Sequence, residues 1–187
     1  MYFKMNLTSP FEMHVIILQQ YVITSHPYCN ILSLSLQHFQ RKVRGWAKES
    51  KTKPPEESTP VKRRKRAIEK LWRSYRGDAA RIIDLVRSSI TAETTGELSK
   101  VVDVILKDPD VAVLQIKNRF TEKYNSAESA GYRNLSISLI IVDSFTMSRG
   151  VDAHLCELQI GLRPFEFLKK FLHGHQRYVQ FRDARAE

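Results

Sequence analysis

The sequence predicts an α/β (α+β) fold in which one mixed sheet of about four to five strands is covered by helices, mainly on one face. Three observations carry that expectation. Residues 134–141 alternate, with Leu135, Ile137, Leu139 and Ile141 set against Asn134, Ser136, Ser138 and Ile140, the period of a half-buried strand. Runs 82–91 and 111–116 are rich in β-branched and apolar residues and end at turn signals. Apolar residues at three- and four-residue spacing lie between such runs, which is the pattern of helices laid on a sheet.

Residues 1–50 are apolar in patches without a clear period and predict no element. Residues 48–60 are polar, carry Pro54, Pro55 and Pro60 and lack large apolar groups, which is linker composition. The expected organisation is a segment without assigned role (1–47), a linker (48–60) and a functional body (61–187). Within the body, Ala67, Ile68, Leu71, Trp72 and Tyr75 give the apolar stripe of a helix over 61–76, ended by Gly77. Run 82–91 follows as a strand carrying Asp84 and Arg87. Thr94 or Thr95, with Glu97 close behind, caps a helix through about Leu106. Asp108-Pro109-Asp110 is a turn into the 111–116 strand, and Arg119 to Ala130 is a polar loop. Strand 134–141, a loop from Asp143 to Gly150 and strand 154–160 read most economically as a hairpin, with Glu157 and Gln159 on one side. In the plainest version its polar face simply meets water. Pro164 starts a last helix from about Phe165 to Leu172, and Gly174 breaks it before a second short helix.

At 187 residues the chain can hold one ordinary domain with a tail and a core that needs no staples. Cys29 and Cys156 stand far apart, without the spacing of a disulfide framework or a zinc site, which fits a reducing compartment. The net charge of +10 belongs to one stretch: residues 41–81 hold fifteen Lys and Arg against five Asp and Glu, and the rest balances. Such a segment attracts polyanions, whether nucleotide phosphates, RNA or an anionic membrane surface. No apolar run approaches the roughly 20 residues of a membrane span, and Val15 to Leu18 is short for the core of a secretory signal. A cytoplasmic location is expected, with the basic run Lys62 to Arg66 leaving nuclear import open.

That run of five cations opens the first helix of the body, where backbone N–H groups and the dipole also favour anions, so it suits a triphosphate as well as a solvated charge run or a nucleic-acid patch. Asp84 and Glu157, on separate strands, are the candidate ligands of a magnesium ion, which takes hard oxygen donors and shares them with substrate phosphates. Tyr132 follows Gly131 at a loop-to-strand corner, where a ring can lie open to a nucleobase or pack into the core. His173 and His175 have no third ligand nearby, and a metal reading of them is disfavoured.

Together these pieces resemble the synthetase domain of the RelA/SpoT family, the pyrophosphokinases that make guanosine tetra- and pentaphosphate, over about residues 61–185. The resemblance implies a nucleotidyltransferase-like sheet and transfer of pyrophosphate from ATP to the 3′-hydroxyl of GDP or GTP with Mg2+. It puts the family's phosphate-gripping lysine on Lys62, with the arginines through Arg66 lining the donor site, and Asp84 in the family's D-[LI]-[VI]-x-x-R strand as a magnesium ligand. The family loop from Arg-Phe to Asn-Gly-Tyr has the length of Arg119-Phe120 to Ala130-Gly131-Tyr132, which makes Tyr132 the residue that stacks the acceptor guanine. The E-[IV]-Q-[IL]-R strand falls on Glu157-Leu158-Gln159-Ile160, where Glu157 would bind metal or help activate the 3′-hydroxyl beside Gln159. The implied catalytic pair is thus Asp84 and Glu157, and the implied substrate-binding set is Lys62, Arg66, Arg87, Arg119, Tyr132 and Gln159.

The chain also departs from the family pattern. Thr121 and Glu128 stand where the loop carries phosphate-binding lysines, Ala130 replaces the asparagine before glycine, and Ser136 replaces a histidine. Gly161 replaces the arginine after E-x-Q-x, and Ser89 replaces the strand arginine, with Arg87 two positions earlier. Lys117, Lys123 and Arg133 are the cations able to compensate. These departures keep a second reading open, a non-catalytic nucleotide- or RNA-binding module on the same fold.

Overall fold

The computed structural model describes residues 28–55, 59–78, 81–129 and 131–171. His173, Gly174, His175 and the second short helix expected after them lie outside the described residues. Four strands, β1 (Val86–Ala92), β2 (Val111–Asn118), β3 (Leu135–Ile141) and β4 (Cys156–Leu162), form one mixed sheet in the order β1-β4-β3-β2. β1 and β4 run parallel, while β3 is antiparallel to both β4 and β2. The expected pairing of 134–141 with 154–160 is present, but their connection is not a plain loop. Asp143 accepts from Thr146 N–H while its own N–H donates to the Thr146 hydroxyl, and this capping box starts a short helix, Ser144–Arg149, ended by Gly150 at φ 63°.

The first described element is a helix that the sequence pattern does not predict, α1 (Tyr28–Glu49). Its stripe is Leu32, Leu36, Phe39, Val43 and Trp46 with Ala47, steps of four, three, four and three. The intervening Ser35, His38 and Gln40 are also buried, which blurs the period when residues are scored as apolar or polar alone. Phe39, Val43 and Trp46 share one core with Val86, Ile90, Leu135, Ile137, Leu139, Leu158 and Ile160 of the sheet. Lys42 Nζ lies 3.0 Å from Asp108 and 2.7 Å from Asp110, and Trp46 Nε1 donates to Asp108 at 2.8 Å, which fastens α1 to the turn before β2. No helix among the described residues is long and apolar enough to cross a membrane.

Three residues of the expected linker, Thr52, Lys53 and Thr59, are bonded to the elements around them. Thr52 N–H donates to Ala47 O, Lys53 bridges Thr91 at the edge of β1, and Gln40 donates to Thr59 O. Next comes α2 (Arg64–Tyr75), which buries Ala67 and Leu71 and closes through the left-handed Arg76 (φ 52°) and Gly77 (φ 88°). Trp72, expected on the apolar stripe, is instead 66% exposed, with its indole lying over Gly77. α3 (Thr95–Lys107) is capped as expected, Thr94 accepting from Glu97 N–H and Glu97 accepting from Glu93 N–H. The last helix, here α5 after the 144–149 helix as α4, spans Arg163–Phe171 and packs against β4 and β1.

One sheet face carries Val86, Ile90, Leu135, Ile137, Leu139, Leu158 and Ile160, all buried in the core with α1 and α3. The other face is polar. Its rows follow the register: Arg87, Glu157 and Ser138 lie side by side, and Ser89, Gln159, Ser136 and Lys117 form the next row.

Candidate functional site

The expected 82–91 strand begins only at Val86, because the chain before it serves a different contact. Lys62 N–H donates to Leu85 O, and the Lys62 and Lys70 ammonium groups both meet Asp84 Oδ2, the latter at 3.0 Å. Lys62 therefore precedes α2 and turns inward, whereas Arg63 to Arg66 remain on the surface, with Arg66 bonded to Glu69 at 2.8 Å. The five-cation run is thus split between an internal ion pair and an exposed patch.

Asp84 is 7% exposed. Burial opposes its charge, but Lys70 and Lys62 outweigh burial and hold the carboxyl below its usual range. For Lys62, burial outweighs the attraction of Asp84, and the charges of Lys70 and Arg87 add to it, so its ammonium falls below the ordinary lysine value. Lys70 is driven the other way: burial lowers it, but Asp84 and Tyr75 more than compensate. Arg87 thus joins two regions, since its charge reaches Lys62 while its backbone is in register with Glu157.

Glu157 stands at the centre of the polar face. Ser136 donates to its Oε1 at 2.7 Å, and Gln159 Nε2 donates to its Oε2 at 2.9 Å. Ser136, the departure from the family's histidine, is thus a direct partner of the candidate catalytic carboxylate. The two carboxylates are bonded to different groups, Asp84 to lysines before β1 and Glu157 to neighbours within the sheet. No group of three or more His, Cys, Asp and Glu side chains arranged to hold a metal occurs among the described residues. The donor chemistry still suits a hard divalent ion, which commonly takes one or two carboxylates and completes its shell with water and phosphate. Asp84 Oδ1 is consistent with that, being buried without a hydrogen-bond partner in the structure.

The loop side of the site is held by its own cations. Arg119 donates to Asn134 Oδ1 at 2.7 Å, and Arg133 donates to Arg119 O at 2.9 Å and to Thr121 O at 3.0 Å. Both guanidinium groups lie 5.9 Å from the Tyr124 ring centroid. Arg133 is therefore engaged in closing the loop, while Lys117, in register with Ser136, sits exposed on β2.

Tyr132 is half-buried, and its hydroxyl donates to Glu166 on α5 at 3.0 Å. Burial and the charge of Glu166 push its phenol well above the ordinary tyrosine value. Glu166 also fills the space beside Gly161: a Cβ built there would stand 2.7 Å from Glu166 Oε1 and 2.9 Å from its Cγ. A carboxylate thus occupies ground next to the position where the resemblance expects an arginine. No local pattern singles out Glu166, because its partner Tyr132 lies 34 residues away.

No family model matches the chain, and no curated protein sequence matches it. Solved structures do match in fold. Small alarmone synthetase 2 of Bacillus subtilis aligns at TM-score 0.61 and 17% identity, covering 88% of this chain and 82% of that one. Small alarmone synthetase 1 of Bacillus subtilis aligns at TM-score 0.58 and 17% identity over 94% of this chain and 87% of that one. A GTP pyrophosphokinase family protein from Streptococcus pneumoniae aligns at TM-score 0.57 and 19% identity over 78% and 73%. Residues 61–187 alone are about 68% of the chain, so these alignments reach into the residues before 61, in keeping with the place of α1 in the core. The chain has the fold of the small alarmone synthetases.

Proposed function

We propose that the chain is a divergent RelA/SpoT-type synthetase that transfers pyrophosphate from ATP to the 3′-hydroxyl of a guanine nucleotide, GDP or GTP. The observation that carries the reading is the polar sheet face, where Glu157 stands in register with Arg87 and Gln159 with Ser136, together with the Lys62–Asp84 pair in the segment that leads into β1. In support, one of the fold neighbours, small alarmone synthetase 1 of Bacillus subtilis, is known bound to its product pppGpp.

In this reading Lys62 and the exposed cations through Arg66 hold the donor phosphates, and Arg87 adds charge between them and Glu157. Glu157 accepts a hydrogen bond from the acceptor 3′-hydroxyl and takes its proton as the oxygen bonds to the donor's β-phosphorus. The α,β-bridging bond breaks and AMP leaves. Asp84 and Glu157 would hold Mg2+, which when bound offsets charge on the transferring group. Tyr132 supports the acceptor base, and Gln159 and Ser136 orient the Glu157 carboxylate.

The test is incubation with labelled ATP, Mg2+ and GDP or GTP, followed by separation of 3′-pyrophosphorylated product. Wild type is expected to form it, while Glu157→Gln and Asp84→Asn do not. Absence of product from wild type, with both variants binding nucleotide as wild type does, sinks the catalytic reading. One observation favours a second reading, a non-catalytic nucleotide-binding module: the Glu166 carboxylate beside Gly161 makes the acceptor side less hospitable to phosphate. Under that reading nucleotide binds and no product appears.

A further inference from the structure

We infer that the outer face of α1 is a self-association surface, on which a second copy of this chain lays its own α1 in the opposite direction about Gly45. The inference goes beyond the proposed function and does not depend on it. Gly45 lies inside α1, one turn before the last residue, Glu49, and outside the left-handed region that favours glycine. Glycine weakens a helix at such a place. It is exposed, and a Cβ built on it would meet nothing within 4 Å, so no contact within the chain calls for it. Around it opens a groove of about 330 Å³, lined by His38, Arg41, Lys42, Trp46, Glu49 and Asp108.

The charges in the groove say what fits it. Lys42 is neutralised by Asp108 and Asp110, and Asp143 and Arg41 bond the two ring nitrogens of His38. Arg41 and Glu49 have no ion-pair partner among the described residues. They stand four residues before and four after Gly45, so the three form one ridge along the helix with the glycine as its saddle. A copy of that ridge laid alongside in the opposite direction sets Arg41 of each chain against Glu49 of the other, two ion pairs related by a two-fold axis. A copy running in the same direction would set like charges together. Gly45 against Gly45 lets the two helices approach more closely than side chains ordinarily allow. Glu49 gains in a second way, because the helix dipole disfavours an acid in the last turn. Arg41 is already held over the Phe145 ring at 5.1 Å, so less side-chain freedom is lost on pairing. Arg44 and Lys48, exposed on the flank of α1, oppose the pairing, and one helix pair covers little area, which makes the dimer a weak one. α1 packs on the apolar face of the sheet, so pairing leaves the polar face around Glu157 uncovered.

The experiment is sedimentation equilibrium of the full chain from low micromolar to near-millimolar concentration. Wild type should show a monomer–dimer equilibrium. Arg41→Glu and Glu49→Arg each set like charges at both contacts, and each should weaken dimerisation about tenfold or more. An equimolar mixture of the two variants should dimerise again, because in the mixed pair both contacts join opposite charges. Unfolded variants could not give that recovery, and a thermal melt on each confirms the fold. Gly45→Gln should abolish the dimer while raising the melting temperature of the dilute monomer by roughly 2–3 °C, since glutamine is the better helix former and meets open space in the single chain. A wild type that stays monomeric throughout overturns the inference, and so does a dimer indifferent to these substitutions. A mixture of the charge variants that stays monomeric, or a Gly45→Gln monomer that melts below wild type, overturns it as well.

Discussion

Replacing Asp84 by Asn should cost the fold more than any other single change at the polar site. The carboxylate is 7% exposed and lies against two ammonium groups, Lys62 and Lys70. At an effective dielectric near 20, each contact at about 4 Å is worth roughly 4 kcal/mol, and the repulsion between the two lysines offsets part of that sum. The Asn variant removes both attractions and leaves the repulsion, with Lys62 only 11% exposed at its side chain. Relaxation and water entry reduce the effect to the range seen when one member of a buried pair is deleted, about 3–5 kcal/mol. In a chain of this size that lowers the melting temperature by roughly 6–20 °C. Urea unfolding at pH 7 measures it directly. The pH dependence gives a second check. Because the folded carboxyl lies below its usual range, its stabilisation is present above the unfolded value near about 3.9 and is lost as pH falls through the folded value. Wild type should therefore show an acid loss of stability that Asp84→Asn partly lacks. A variant within about 1 kcal/mol of wild type at pH 7 would refute the electrostatic account of this cluster.

Packing and capping set two more expectations. Phe39→Ala, in the helix that the sequence pattern hides, should cost about 3–5 kcal/mol by urea unfolding, and a fragment beginning at residue 50 should lack a cooperative thermal transition because it leaves the α1 side of the sheet bare. Thr94→Ala should cost about 1 kcal/mol by the same measurement, since it removes the acceptor for Glu97 N–H at the start of α3.

What could be read from the sequence divides along physical lines. Period-two alternation in 134–141, a Thr-x-x-Glu cap at Thr94 and a turn at Asp108-Pro109-Asp110 are local signals, and each leads to the element found. The capping box at Asp143 is equally local, but Asp-Ser-Phe-Thr also reads as a turn, and only the paired Asp143 and Thr146 bonds distinguish them. α1 escapes a period search because buried Ser35, His38 and Gln40 mask its apolar stripe. At the site, residue types were legible and pairings were not. Nothing near Lys62 announces that its ammonium meets Asp84, 22 residues on, and nothing near Tyr132 announces Glu166. Long-range side-chain pairing depends on how α2 and α5 dock, which no window of sequence contains.

Those pairings set the terms on which a donor nucleotide would enter. Lys62, the residue proposed to hold its phosphates, is already bonded to the residue proposed to hold its metal. A phosphate that takes Lys62 from Asp84 leaves a buried carboxylate facing Lys70 alone, and repels it as well. Metal-free ATP should consequently bind weakly to wild type, because the Lys62 ammonium is already neutralised by Asp84, whose carboxylate repels an incoming phosphate. In Asp84→Asn the same two ammonium groups face a neutral amide and are released toward solvent anions. Titrated at a temperature where both proteins are folded, the variant should bind ATP in the presence of a chelator several-fold more tightly than wild type, even as its response to added Mg2+ shrinks. If Asp84→Asn binds metal-free ATP no more tightly than wild type, then Lys62 is not the residue that grips phosphate, and the donor must lie on the exposed arginines of α2 instead.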